Sequence, residues 1–434
     1  MPEELTYKKI FYFWMPLAAT WLMMSVEGPF LTAIIARLAE PKFNLAAYGV
    51  AFSFALIIEA PVIMMLSAST ALVKNYHSFT KLKNFVYSLN LLLTVLILIA
   101  VIPPVFNFLA IDLIGLPPNV AHLTHIGLFI LMPWPGAIGY RRSYQGILIK
   151  YNKTKRVAYG TVIRLIAMSI TALILYFFTE VHGVIVGTAS LSAGVIAEAV
   201  STKFMTASIL KKIPVEGQSV ETDLTYKEIF NFYYPLALTA LISLGVHPIV
   251  TFFIGKSYMA IESLAVLPVL NSLVFIFRSL GLSYQEVGIA LMGEKMENYK
   301  SLRNFAIGGG AFVFVGMMLI ANTPAADFWF RSVSGLTNEL AEFASLPLRI
   351  YAFIPVLTFY ISFQRAILVY ARKTQPITFA TTIEVGVIIL ILFVVTKNWQ
   401  IAGVIAATIG FVFGRTAANL YLISPFRKAV TLGK

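Results

Sequence analysis

The stretch LTYKKIFYFWMPLAATWL, Leu5 to Leu22, recurs 219 residues later as LTYKEIFNFYYPLALTAL, Leu224 to Leu241, with twelve of eighteen positions identical. A 434-residue chain that repeats its opening near its midpoint reads as two copies of one unit. The match extends outward. At a spacing of 219, Pro29 aligns with Pro248, Leu45-Ala46 with Leu264-Ala265, and Gln145 with Gln364. One inserted residue then shifts the spacing to 220. Beyond it Lys153-Thr154 aligns with Lys373-Thr374, GVIVGT from Gly183 with GVIAAT from Gly403, and Gly194 with Gly414.

Composition says what kind of unit is repeated. Hydrophobic residues make up 59% of the chain and charged residues 12%, against about 45–50% and about 25% in soluble domains. The apolar sequence falls into twelve runs, near 10–36, 45–73, 84–108, 120–150, 156–178, 183–210, 229–255, 260–292, 303–330, 343–371, 376–396 and 401–424. Each is long enough for a hydrocarbon layer of about 30 Å. In lipid such runs must be helices, because a helix satisfies its own backbone. The expected fold is therefore an all-α polytopic membrane protein of twelve spans. Its lobes are 1–212 and 223–434, joined by a polar linker at 213–222. Six spans per copy is an even number, so both copies enter from the same side as parallel repeats.

The formal net charge of +13 is concentrated in alternate loops. Lys74, Lys81 and Lys83 follow span 2, and Lys150, Lys153, Lys155 and Arg156 follow span 4. Lys203, Lys211 and Lys212 lie at the end of span 6. Lys295, Lys300 and Arg303 follow span 8, Arg372 and Lys373 follow span 10, and Arg427, Lys428 and Lys434 end the chain. The intervening loops hold few basic residues. The positive-inside rule then places both termini in the cytoplasm, in a plasma (cell inner) membrane. The basic charge is read as topology and lipid contact rather than nucleic-acid binding. There is no cysteine, no phosphate-cradling GxxxxGK[ST], no HExxH and no histidine spacing suited to a metal. No cofactor or enzymatic role is expected. The opening MPEELTYKK has no signal-peptide pattern.

Two similar bundles are the recurring device of secondary transporters, so transport by alternating access is the leading functional class. A non-transporting membrane scaffold or enzyme is the rival. The ionisable residues inside spans carry the functional signal, since charge at membrane depth is costly. Substrate- or ion-binding candidates are Glu27, Glu59, Glu198, His247, Arg278, Glu286 and Arg415. The carboxylates suit a proton, a sodium ion or a cationic cargo. The arginines, with Arg141 and Arg142, suit an anion. The residues alone leave that choice open. Glu59 aligns with Arg278 and Arg164 with Glu384, so equivalent positions carry opposite charges. Arg164 and Glu384 are expected to pair within their own halves, and Glu59 and Arg278 to approach each other at a central cleft. Arg349 and Arg365, near span ends, are expected to snorkel. Pro16, Pro29, Pro235 and Pro248 are hinge candidates, each removing a helix hydrogen bond. Trp14 and Trp134 are read mainly as interfacial anchors, and Gly308 to Gly310 as a site of close helix packing.

Four further stretches carry a resemblance. LAAYGVAFS at Leu45 to Ser53, GILIK at Gly146 to Lys150, YYPLAL at Tyr233 to Leu238, and above all PLRIYAFIPV at Pro347 to Val356 resemble the progressive ankylosis (ANK) protein family. That family is grouped with the multidrug and toxic compound extrusion (MATE) transporters of the MOP superfamily. The resemblance implies a two-lobed, V-shaped exporter with its cleft lined mainly by spans 1, 2, 7 and 8. It also implies anionic cargo such as pyrophosphate, ATP or citrate. The wider superfamily implies cation or drug antiport driven by protons or sodium, and a lipid-linked precursor flippase is a further alternative within transport.

Overall fold

The computed structural model describes residues 5–114, 116–213 and 224–433. The expected linker, apart from Ile213, and Lys434 lie outside the described residues. Helices account for nearly all the rest. They are α1 (Tyr7–Ile35), α2 (Pro41–Ile63), α3 (Met65–Leu72), α4 (Tyr76–Ala100), α5 (Pro103–Asn107), α6 (Pro118–Ile130), α7 (Trp134–Lys150), α8 (Thr154–Phe178) and α9 (Gly183–Leu210). The second set is α10 (Tyr226–Gly255), α11 (Ala260–Leu282), α12 (Tyr284–Leu291), α13 (Tyr299–Ala321), α14 (Pro324–Asp327), α15 (Asn338–Tyr351), α16 (Ile354–Tyr370), α17 (Gln375–Asn398) and α18 (Gly403–Gly433).

Among the described residues, eleven segments, some of them two consecutive helices, are long and apolar enough to cross a membrane. The remaining expected span, the fourth at 120–150, is divided into α6 and α7, each shorter than a crossing. The cause is local. The run Met132-Pro133-Trp134-Pro135 removes two backbone donors and restricts the residue before each proline. The equivalent break between α15 and α16 has one proline, Pro355, and the pair still reads as a single crossing of Asn338–Tyr370.

The repeat is visible in the backbone itself. Span 2 breaks at Met64 and span 8 at Ser283, 219 apart. Glu40 (φ 49°) and Met259 (φ 50°) take the left-handed conformation before α2 and α11, and Asn152 and Arg372 (both φ 56°) take it after α7 and α16. Non-glycine residues seldom adopt this region, so matched pairs at 219 and 220 record one fold used twice. A π-helical turn at Phe108–Leu113 recurs at Phe328–Val333. Beyond that turn α6 and α15, α7 and α16, and α9 and α18 start 220 apart, and α8 and α17 start 221 apart. This corrects the register of span 10. α7 and α16 are both 17 residues long and start 220 apart. The structural counterpart of Gln145 is therefore Arg365, not Gln364.

The chain forms two compact units. One, here the N-unit, is Met23–Tyr233; the other, the C-unit, is Met1–Leu22 with Tyr234–Lys434. The first copy of the opening stretch, 5–22, thus belongs with the second set of helices, and the start of the second copy, 224–233, with the first. In the C-unit, the indole of Trp14 donates to Leu280 O at 3.2 Å and Ser283 Oγ at 2.8 Å, at the break in span 8. In the N-unit, the hydroxyl of Tyr233 donates to Pro61 O, before the break in span 2. Trp14 aligns with Tyr233 and Leu280 with Pro61, each at 219. The two copies of the opening motif make the same contact. Trp14 is accordingly buried, as is Trp134, and neither is an interfacial anchor.

Each unit has its own apolar core. In the N-unit Leu31, Ile35, Tyr48, Ala51, Trp134, Val184 and Val195 pack together. In the C-unit Val250, Leu270, Val274, Leu348, Tyr351, Ile388 and Phe411 do so. Large apolar side chains also face outward along the helices, Phe177, Phe204, Phe312 and Leu319 among them, as a lipid-facing surface requires. Within each unit one glycine brings the last two long helices together. A Cβ at Gly194 would sit 3.0 Å from Arg164 O, and one at Gly414 would sit 2.7 Å from Glu384 O. The close approach places a charged residue of α8 or α17 against its neighbour. A Cβ at Gly309 would sit 2.9 Å from the ring of Phe359 and one at Gly310 3.4 Å from Val356, in line with the packing role expected of this stretch, whereas one at Gly308 would meet open space.

Candidate functional site

Each unit holds a cluster of charged side chains, and the two differ in balance. In the N-unit Arg141, Arg142, Arg164, Glu27, Glu59 and Glu198 are all at least nine-tenths buried. Glu198 on α9 is the hub. Its Oε1 accepts from Gln145 Nε2 at 2.9 Å and from Thr161 Oγ1 at 3.2 Å. Its Oε2 accepts from Arg141 Nη1, with Arg164 Nη1 3.7 Å away. Arg164 on α8 also donates through Nη2 to Glu27 Oε2 on α1, at 2.5 Å. Glu59 on α2 accepts from the indole of Trp134, and the Arg164 guanidinium lies 5.5 Å from that indole's ring centroid. The charges of Arg142, Arg141 and Arg164 all act on Glu59. Three guanidiniums face three carboxylates, so the cluster is neutral overall. Pairing of opposite charges offsets much of the cost of burying such ions, although Glu27 Oε1, Arg141 Nε and Arg164 Nη1 are buried with no hydrogen-bond partner.

In the C-unit, Arg415 on α18 donates to Glu384 Oε1 on α17 through Nε at 2.8 Å and Nη2 at 2.7 Å, and to Thr358 Oγ1 through Nη1 at 3.3 Å. Arg365 on α16 donates from Nη2 to Thr381 Oγ1 at 2.9 Å. Arg278 lies midway along span 8. Asn271, Phe275 and Arg278 share one half-buried helix face, as positions i, i+4 and i+7 must. The Nε atoms of Arg278 and Arg365 are buried with no hydrogen-bond partner, and neither residue has an ion pair within the unit among the described residues. The charges of Arg415 and Glu384 act on both. Three guanidiniums therefore meet one carboxylate here, leaving two positive charges uncompensated in this group.

The structure thus unites Glu27, Glu59 and Glu198 in one cluster, and Arg278 and Arg415 in the other. Arg164 and Glu384 pair within their own units, as the sequence led us to expect. Glu59 has its hydrogen-bond partner and its opposing charges within its own unit. His247 on α10 is exposed, feels the charge of Arg278, and has its ring 6.5 Å from that of Phe411. Glu286 is buried on α12. Pro16 and Pro29 lie within α1 and Pro235 and Pro248 within α10, and all four are carried without a helix break.

Sequence reasoning missed Arg365 as a site residue. It does not snorkel, and its guanidinium is turned onto Thr381 of the next helix. The signal that would have found it is the 220 spacing, under which it replaces Gln145, itself a ligand of Glu198. Thr161 and Thr381 match at the same spacing, and each bonds a charged side chain of its cluster, Glu198 and Arg365 respectively. Trp134, Gln145 and Thr358 were also overlooked as charge partners.

No known family profile matches the chain. Solved structures do. One is a multidrug resistance MATE family transporter of the MOP superfamily in an outward-facing conformation. It shares 16% identity with a TM-score of 0.76, over 98% of this chain and 96% of that one. A Vibrio cholerae MATE transporter shares 15% identity with a TM-score of 0.76, over 97% of each chain. A MOP superfamily transporter from Pyrococcus furiosus, whose binding pocket is described as reversed in polarity and suggestive of a different function, shares 16% identity with a TM-score of 0.74, over 98% and 96%. At these identities the likeness is one of fold, and this all-helical chain has the fold of the MATE transporters.

Proposed function

We propose that this protein is a secondary-active exporter that works by alternating access between lobes 1–212 and 223–434. Its cargo, in this reading, is a small organic or phosphorylated anion of the pyrophosphate or citrate type. The carrying observation is the C-unit cluster of Arg278, Arg365 and Arg415 against the single carboxylate Glu384. Uncompensated guanidinium charge at membrane depth favours a ligand that supplies the missing negative charge. The ANK-like stretches favour the same cargo class. The fold and the parallel repeat support transport, and the basic loops support a plasma-membrane protein with cytoplasmic termini. Reporter fusions at Lys434 and near Asp112 should report inside and outside respectively; the reverse pattern would overturn that orientation.

A proton- or sodium-coupled cation antiporter is the second reading, since MATE transporters include multidrug resistance proteins. It needs spare negative charge. Glu27, Glu59 and Glu198 instead face three guanidiniums in their own unit. Glu27 and Glu286 stay in the reading as carriers of a coupling ion, and the four in-helix prolines as hinges. Protein reconstituted in liposomes under a proton or sodium gradient tests the proposal. Labelled pyrophosphate or citrate should accumulate, and tetraphenylphosphonium should not. Accumulation of the cation alone would replace the anion reading. Movement of a lipid-linked precursor alone would make the protein a flippase. No movement of any of these would favour a scaffold or an enzyme.

A further inference from the structure

The two clusters use the same number of arginines, yet only the C-unit cluster is left positive. The hydrogen-bond geometry shows how that charge is held. Both donors on the Nε edge of Arg415 reach the same oxygen, Glu384 Oε1, at 2.8 and 2.7 Å. A guanidinium edge is best filled by two oxygens in parallel, so this pair leaves the fork half matched. Arg365 spends one nitrogen on a threonine, and its Nε is buried without a partner. Arg278 Nε is likewise buried without one. Thr381 and Glu384, the partners of Arg365 and Arg415, are three residues apart and so neighbours on the surface of α17, and the charges of Arg278 and Arg415 both act on Arg365. Mutual repulsion of this kind is relieved by one ligand carrying several negative oxygens, and lysines would not offer the same planar donors.

We propose that Arg278, Arg365 and Arg415 form a seat, contained within the C-unit, for one multivalent oxyanion, and that Glu384 is a built-in anion displaced from Arg415 by the bound group. This rests on the anionic-cargo reading above and adds to it the seat and a competitor within the chain. Glu384 neutralises Arg415 while the seat is empty. A phosphate or a di- or tricarboxylate then fills the fork with two oxygens and brings the further charge that Arg278 and Arg365 require. Monovalent anions can answer one guanidinium and leave the others unmet.

The test measures binding apart from transport, using the full chain in phosphatidylcholine nanodiscs. Wild type should bind pyrophosphate and citrate at least tenfold more tightly than acetate. Arg278→Gln should weaken both by about tenfold or more, and Arg278→Lys by less, since the charge stays and the fork is lost. Glu384→Gln should be less stable without ligand, bind pyrophosphate several-fold more tightly, and show a larger ligand-induced rise in melting temperature. Arg365→Gln serves if Arg278→Gln does not fold. Arg331→Gln, an exposed position paired with Asp327 at 2.8 Å, should leave affinity unchanged. If wild type binds oxyanions but Arg278→Gln, Arg365→Gln and Glu384→Gln do not alter affinity, the seat is wrong and the anionic-cargo reading stands. If wild type binds tetraphenylphosphonium and no oxyanion, both fail. If phosphatidic acid in the disc raises the melting temperature and no soluble oxyanion does, the group recognised is a lipid headgroup and the seat for a solute is overturned.

Discussion

Replacing Glu198 with Gln is expected to destabilise the protein by about 3–5 kcal/mol, the usual cost of leaving a buried charge without its partner. Glutamine keeps the shape of the side chain and one acceptor oxygen, so the contacts from Gln145 and Thr161 can partly persist. The negative charge that Arg141 and Arg164 both face is lost. Arg141 is then a cation at 2% exposure, with its Nε already lacking a hydrogen bond. Heating purified wild type and variant and following the loss of monodisperse protein would show the difference as a lower midpoint. A second change, Arg141→Gln, should restore part of the loss, because the orphaned charge goes with it. The coupling should fall within about 0.5–3 kcal/mol. A Glu198→Gln variant with the wild-type midpoint would mean that the N-unit cluster is not held by charge balance.

Replacing Arg415 with Gln is expected to be nearly as damaging, near the lower end of about 3–5 kcal/mol. Glu384 loses both of its contacts from Arg415, yet the charges of Arg278 and Arg365 still offset part of its own. Export of a labelled anion should fall together with stability. The charge exchange Glu384→Arg with Arg415→Glu separates pairing from position. In the N-unit the arginine is on α8 and the carboxylate on α9, so this fold already accommodates the reversed polarity between equivalent helices. The exchange should recover stability relative to either single variant. If the double variant is as unstable as the two single losses combined, Arg415 and Glu384 do not hold each other.

Both expectations depend on which charges meet, and the sequence showed only that charges were present. The repeat of LTYKKIFYFWMPLAATWL, the twelve apolar runs and the candidates Glu27, Glu59, Glu198, Arg278 and Arg415 were legible because each is a linear signal. Twofold use of one motif appears as identity at a fixed spacing. A lipid-crossing helix needs about 20 apolar residues in a row. A charge inside such a run stands out by its cost alone. The glycine pair Gly194 and Gly414 was visible too, though not what each touches.

The partners were not legible, and neither was Arg365. Soluble helices show which face they bury by alternating polar and apolar residues. Membrane helices such as α9, α10 and α18 are apolar nearly all round, so their phase is hidden. Without phase, Arg365 looked like an end-of-span residue free to snorkel, and Gln145 seemed matched to Gln364. The ends of α7 and α16 set the register one residue over and turned Arg365 inward. Trp14 and Trp134 misled for a related reason. An amphipathic ring at a span end suits the membrane interface, but each indole donates to a polar partner inside its own unit. The sequence by itself determined that this chain is a doubled, membrane-spanning helical protein with charge buried in its spans. Only the tertiary structure decided that the charge is balanced in one unit and left positive in the other, because net charge at a site is a property of which helix faces converge there.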